Sequence, residues 1–101
     1  MIAVLTVRKL KPDSYEDFRR VWEPDPWYPG LKRVVISRGD EDPDEVMTLG
    51  LFALDLEEFD KLRDSTEFMS QEERRLRAMA QYEETLRLSE IFIVEEDIER
   101  A

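Results

Sequence analysis

Apolar periodicity along this chain alternates between a spacing of about two residues and one of about 3.6 residues. The resulting order is strand, helix, strand, strand, helix, strand, with a tight hairpin joining the middle two strands. That order constrains the fold more than it constrains the function. Residues 1–101 are expected to form one domain.

The first run, residues 2–7 (IAVLTV), is β-branched and apolar on both alternating faces, which suits a strand central in its sheet and covered on both sides. Lys11-Pro12 makes a turn, and Asp13 with Glu16 has the spacing of a capping box at a helix start. Tyr15, Phe18 and Trp22 then share one helical face, Asp17, Arg19 and Arg20 point outward, and Pro24 closes the helix. Three prolines and a glycine make residues 23–30 (EPDPWYPG) a loop with a largely preset path, in which Trp27 and Tyr28 are expected to be exposed. Residues 31–38 and 46–54 read as strands, with the acidic hairpin loop 39–45 between them, and Gly50 marks a bulge or a close approach.

Asp55 and Glu58 repeat the capping-box spacing before Leu56, Phe59 and Leu62. The helical pattern breaks over residues 64–70, and Ser70 with Glu73 supplies a fresh cap for a second helical piece carrying Leu76, Met79, Ala80 and Leu86. On that wheel Glu83 falls inside the apolar sector, with Glu72 near its start. Residues 88–94 form the last strand, and the acidic tail 95–101 frays or lies over a neighbour.

The formal net charge of -10 disfavours nucleic acid and anionic membrane surfaces, since both require clustered cations. Residues 2–7 are too short to span a bilayer and lack the basic start and cleavage site of a signal peptide, so the expected location is cytoplasmic. The chain contains no Cys, no His and no Asn. Thiol nucleophiles, disulfides and imidazole ligands are thereby removed, and no cofactor and no metal site is expected.

Residues 2–7, the Pro29-Gly30-Leu31 approach to the second strand, the Asp42-Pro43 hairpin, the Leu56/Phe59 helix start and the following Ser65-Thr66-Glu67-Phe68 carry a likeness. On these features the whole chain resembles the dimeric α+β barrel superfamily, in particular its small antibiotic-biosynthesis-monooxygenase-like domains. The resemblance implies an α+β, ferredoxin-like β-α-β-β-α-β unit with a four-stranded antiparallel sheet, pairing sheet against sheet. It also implies candidate chemistries, several of which this composition opposes. Haem-degrading members rely on an axial His and an orienting Asn, and this chain has neither. Cofactor-free oxygenation or isomerisation of an aromatic or polyketide-like compound remains.

The expected homodimer has an independent basis. Helices cover one face of the sheet, yet Ile2 and Val4 on one side and Ala3, Leu5 and Val7 on the other are all apolar, and so are Leu88, Phe92 and Val94 opposite Ile91 and Ile93. The uncovered face therefore calls for a second copy.

Glu83 is the candidate proton acceptor, because a carboxylate on an apolar face is either desolvated, with its pKa raised, or paired with a cation such as Arg33. Arg33 is the candidate anion stabiliser. Trp22, Trp27, Tyr28 and Tyr82, with Phe52 and Met79, are the candidate walls of a small apolar cavity for a flat ligand. Phe68 and Met69 stand at the helix break, where a gate would lie. Two functional classes stay open: a homodimeric small-molecule-binding domain acting as a cofactor-free monooxygenase or isomerase, and a non-catalytic dimerisation or stress-associated domain. Polar groups converging in one cavity favour the first; a cavity filled by Trp22, Phe52 and Met79 favours the second.

Overall fold

A computed structural model describes residues 1–100; Ala101, the end of the acidic tail, lies outside the described residues. The elements are β1 (Ile2–Leu10), α1 (Tyr15–Trp22), β2 (Leu31–Arg38), β3 (Glu45–Phe52), α2 (Leu56–Arg63), α3 (Thr66–Ala80) and β4 (Glu83–Ile93). The sheet runs β2-β3-β1-β4 with every neighbouring pair antiparallel. The expected α+β, ferredoxin-like topology is present and β1 is central, as its two-sided apolar pattern requires.

Alternation along β1 sets the layers. Ile2, Val4, Thr6, Arg8 and Leu10 face the helices, and their register with Phe52, Gly50, Thr48 and Val46 extends that face across β3. Two buried clusters anchor its ends. Ile2, Tyr28, Leu31, Phe52 and Phe59 form one; Leu10, Phe18, Trp22, Val46 and Met79 form the other. The opposite face carries Ala3, Leu5 and Val7 with their register partners Leu51, Leu49 and Met47, and among the described residues no helix lies over it.

Among the described residues three helices form the covering layer, not two. The Asp55–Glu58 capping box is present in full and starts α2. The break that follows is confined to Asp64 and Ser65, because the Ser65 hydroxyl accepts from the Phe68 amide and restarts the helix at once. The expected cap at Ser70 is therefore corrected: Ser70 lies inside α3. The expected Asp13–Glu16 box is also absent. Asp13 takes a positive φ of 60°, which aims its side chain away from a capping geometry, and Ser14 occupies the N-cap without a side-chain bond.

The largest departure concerns residues 83–87, expected as helix and observed as strand. β1 continues three residues past Val7, to Leu10, and its extra length pairs Arg8 with Leu86, Lys9 with Thr85 and Leu10 with Glu83. Helix α3 consequently stops at Ala80, and a turn in which the Tyr82 amide donates to Met79 O (3.0 Å) and its carbonyl accepts from Lys11 N (2.9 Å) leads into β4. β4 lies beyond the helix layer and is exposed along most of its length.

Candidate functional site

Between the two core clusters is a cavity of about 390 Å³. Its floor is the middle of the sheet: Val4, Thr6 and Arg8 of β1, Thr48 and Gly50 of β3, and Val34 of β2. Trp22, Tyr28, Phe52, Phe59 and Phe68 supply aromatic walls. Exposed Leu76 of α3 and Leu86, Ser89 and Ile91 of β4 mark the opening, where the helix layer ends short of the outermost strand. A second hollow of about 460 Å³ runs along α3 beside Met69, Glu73 and Ala80 and shares Phe68, Glu72 and Leu76 with the first; it is a shallow groove made by one helix and encloses nothing.

Gly50 leaves the floor flat. The pairing of β3 is regular through Val4↔Gly50↔Val34, so the expected bulge is not there; a Cβ at Gly50 would sit at ordinary contact distance, 3.5 Å from Leu31. The register irregularities fall instead at Leu31/Arg33 and on β4 opposite Val7 to Leu10.

Polar groups converge on this space in two sets. In the first, the Tyr28 hydroxyl donates to Glu72, whose carboxylate also accepts from Arg75 Nη1 at 2.7 Å. Arg75 Nε donates to the Trp22 carbonyl at 2.8 Å, a backbone oxygen left free at the end of α1, so this cation ties α1 to α3 and fixes the carboxylate. Burial, and then the Glu72 carboxylate, push the Tyr28 phenol up to about 12, while Arg75 acts in the opposite sense. Tyr28 is thus a neutral donor at ordinary pH.

The second set centres on Arg8, which is 7% exposed and lies with its guanidinium carbon 5.7 Å from the centre of the Phe18 ring. Its Nε stands 3.5 Å from Glu83 Oε1, an ion pair too long for a good hydrogen bond. Arg8 Nε, Arg8 Nη1 and Glu83 Oε1 are all buried without a hydrogen-bond partner. Burial lowers the Arg8 pKa from its ordinary value, opposed by the attraction of Glu83. Beside it, the Thr6 and Thr48 hydroxyls bond to each other across the strands at 2.7 Å.

Of the residues singled out from the sequence, Trp22, Tyr28 and Phe52 line this cavity, and Phe68 closes over Tyr28 with ring centres 4.5 Å apart. Tyr28 is buried, contrary to the exposure expected of its loop, because the chain turns back at Gly30 and lays the ring against α3. Trp27 keeps the expected exposure and donates from its indole nitrogen to Glu23 at 2.7 Å. Met79 and Tyr82 belong to the neighbouring cluster around Leu10 and Phe18. Met69 is exposed on α3 and lines the shallow groove instead. Glu83 opens β4 and meets Arg8, where the sequence suggested Arg33. Arg33 is exposed on β2, paired with Leu51 on the face turned away from the helices.

Arg8, Glu72, Arg75, Thr6 and Thr48 were not foreseen as a site. One signal pointed to Arg8: if the first strand is run on to Leu10, Arg8 shares a face with Ile2, Val4 and Leu10, and a cation flanked by buried apolar residues needs a reason.

No protein-family model and no curated protein matches this sequence. Solved structures do. A protein from Chloroflexus aurantiacus assigned as an antibiotic biosynthesis monooxygenase superimposes with a TM-score of 0.72 at 10% identity, over 97% of this chain and 96% of that one. One from Caulobacter crescentus with the same assignment gives 0.70 at 17% identity, over 94% and 90%. SnoaB, a cofactor-independent oxygenase from Streptomyces nogalater, gives 0.66 at 14% identity, over 98% and 97%. At such low identity the common property is architecture: from end to end, this chain has the ferredoxin-like α+β fold of the antibiotic-biosynthesis-monooxygenase-like structures.

Proposed function

We propose that this protein binds a flat aromatic or polyketide-like compound in the cavity between sheet and helices, as a homodimer paired through the uncovered sheet face. The observation that carries this reading is the cavity itself: aromatic walls, a flat floor at Gly50, and a small number of polar groups gathered at two points. A volume of about 390 Å³ is in the range of small-molecule sites. It is not filled by Trp22 and Phe52, which line it.

The chemistry proposed is cofactor-free oxygenation or isomerisation, supported by the fold shared with an oxygenase described as cofactor-independent. Both reactions begin with loss of a proton from an acidic carbon of the substrate. Glu72 is the acceptor that reaches the cavity; once it takes the proton, the single O–H of Tyr28, which now donates to it, is free to turn to the developing oxyanion. In oxygenation the resulting carbanion supplies the electrons: a CH₂ group and O₂ give a carbonyl and water, with no external reductant. Glu83 acts through Arg8, which it faces, and Arg33 belongs to the pairing face. Glu72 is already engaged by two donors, Tyr28 and Arg75, and this favours the second reading, binding without turnover.

The test uses purified protein with a polycyclic phenol such as hydroxyanthracene, read by quenching of tryptophan fluorescence and by oxygen uptake without added cofactor. Saturable quenching is expected. Oxygen uptake that falls at least about tenfold in Glu72→Gln supports the enzyme; quenching without uptake supports the binding protein. Absence of saturable binding overturns both.

A further inference from the structure

We infer that Arg8 is a ligand anchor, and that the compound this cavity takes carries an anionic oxygen at the end of a flat aromatic system. The inference rests on the cavity being a ligand site and names the chemical class it selects.

Arg8 has five N–H donors and sits on the central strand, fixed on both sides by β3 and β4. It is nine-tenths buried, it lines the cavity, and two of its nitrogens have no hydrogen-bond partner. Two guanidinium nitrogens, Nε and Nη1, shut off from water and left unbonded are costly. Glu83 does not remove the cost, since it approaches only to 3.5 Å and leaves its own Oε1 unpartnered. Of the two other arginines that line the cavity, Arg75 is spent on the Trp22 carbonyl and Glu72, and Arg63 pairs with Asp60 at its own helix end. A carboxylate or ionised phenol entering the cavity would meet Arg8 where it lines the space and, with a turn of the guanidinium away from Glu83, supply the planar acceptor that its shut-off nitrogens lack.

The floor gives the rest of the ligand its shape. Arg8 lies four residues along β1 from Val4, the partner of Gly50, which is about 13 Å at strand rise. The bare stretch at Gly50 takes the flat ring system, and Arg8, on the same face of β1, takes the acidic group at its end. A protein of net charge -10 attracts no anion at long range, so a ligand of this kind needs a specific internal cation.

The experiment compares anthracene carboxylate with its methyl ester by calorimetric titration of the full chain, with hydroxyanthracene titrated above and below its own pKa to separate carboxylate from phenolate. The acid is expected to bind at least about tenfold more tightly than the ester. In Arg8→Met, with circular dichroism confirming the fold, acid affinity should drop to that of the ester while the ester is unaffected. Glu83→Gln, which removes the competing carboxylate and keeps Arg8, should bind the acid more tightly and the ester as before. A purely structural Arg8 would lower stability in Arg8→Met without changing the acid-to-ester ratio, and that result overturns the assignment. Equal affinity for acid and ester in the unmodified protein also overturns it while leaving the cavity as an aromatic site. Failure of both compounds to bind overturns the cavity reading and the anchor together.

Discussion

A phenol that is shut away from water and donates to a carboxylate holds its proton more tightly than one in solution. Tyr28 is in that position, and its folded pKa of about 12 exceeds the ordinary value of 10.0. Because the folded value is the higher one, the protonated form favours the fold. That contribution is complete below the unfolded pKa of about 10, and it is lost as pH rises through the folded value of about 12. Alkaline titration followed by phenolate absorbance should show a late step near pH 12, and Tyr28→Phe should abolish it and flatten the loss of stability between about pH 10 and 12. A folded protein without that step contradicts the geometry at Glu72. The sequence did pick out Tyr28 as an aromatic with a polar edge. What it could not show was the partner, since Glu72 lies 44 residues further on and is brought to Tyr28 only by the packing of α3.

At the scale of elements, the lead-in to β2 depends on Gly30. It has a φ of 82°, and a Cβ there would fall 2.6 to 2.9 Å from the side-chain carbons of Leu54. Alanine is therefore both strained and obstructed, and Gly30→Ala should cost about 1–3 kcal/mol, lowering the melting temperature by at least about 4 °C. Gly50→Ala is the contrast: its Cβ meets only ordinary contacts, so stability should hold or rise while ligand binding weakens as the floor fills. Equal losses of stability in the two variants would contradict this account. Local signals were read correctly where they were self-contained, as in the Asp55–Glu58 box, whose partners are three residues apart. They failed where a distant segment decided. Leu86 extends the helical spacing of Leu76, Met79 and Ala80, yet residues 83–86 become strand because β1 extends to Leu10 and pairs with them.

At the scale of the molecule, the order of elements was legible because each strand and helix repeats its own period, whereas the cavity was not, because its polar groups come from β1, β3, α3 and the α1–β2 loop. The uncovered sheet face lies between these cases. Its apolar character follows from the first strand alone, and the register completes it: Leu5 is central, between Leu49 on one side and Glu90 on the other, with Ala3, Val7, Val35, Met47 and Leu51 around it. Charged groups stand at its margins, Arg33 on β2, Glu90 on β4, and Lys9 with Glu45 at one end. An apolar centre with a rim of both signs is the anatomy of a protein interface, and one that can complement itself about a two-fold axis. A second copy is accordingly the proposed partner, burying more than about 1,200 Å² in total. Light scattering at micromolar concentration should give the mass of a dimer. Leu5→Asp and Val7→Asp, each placing a charge in the dry centre, should give monomers with the helix-side core intact. Leu56→Asp, at an exposed site on α2, should leave the dimer unchanged. A monomer in the unmodified protein, or a dimer indifferent to Leu5→Asp, would remove this face as the interface.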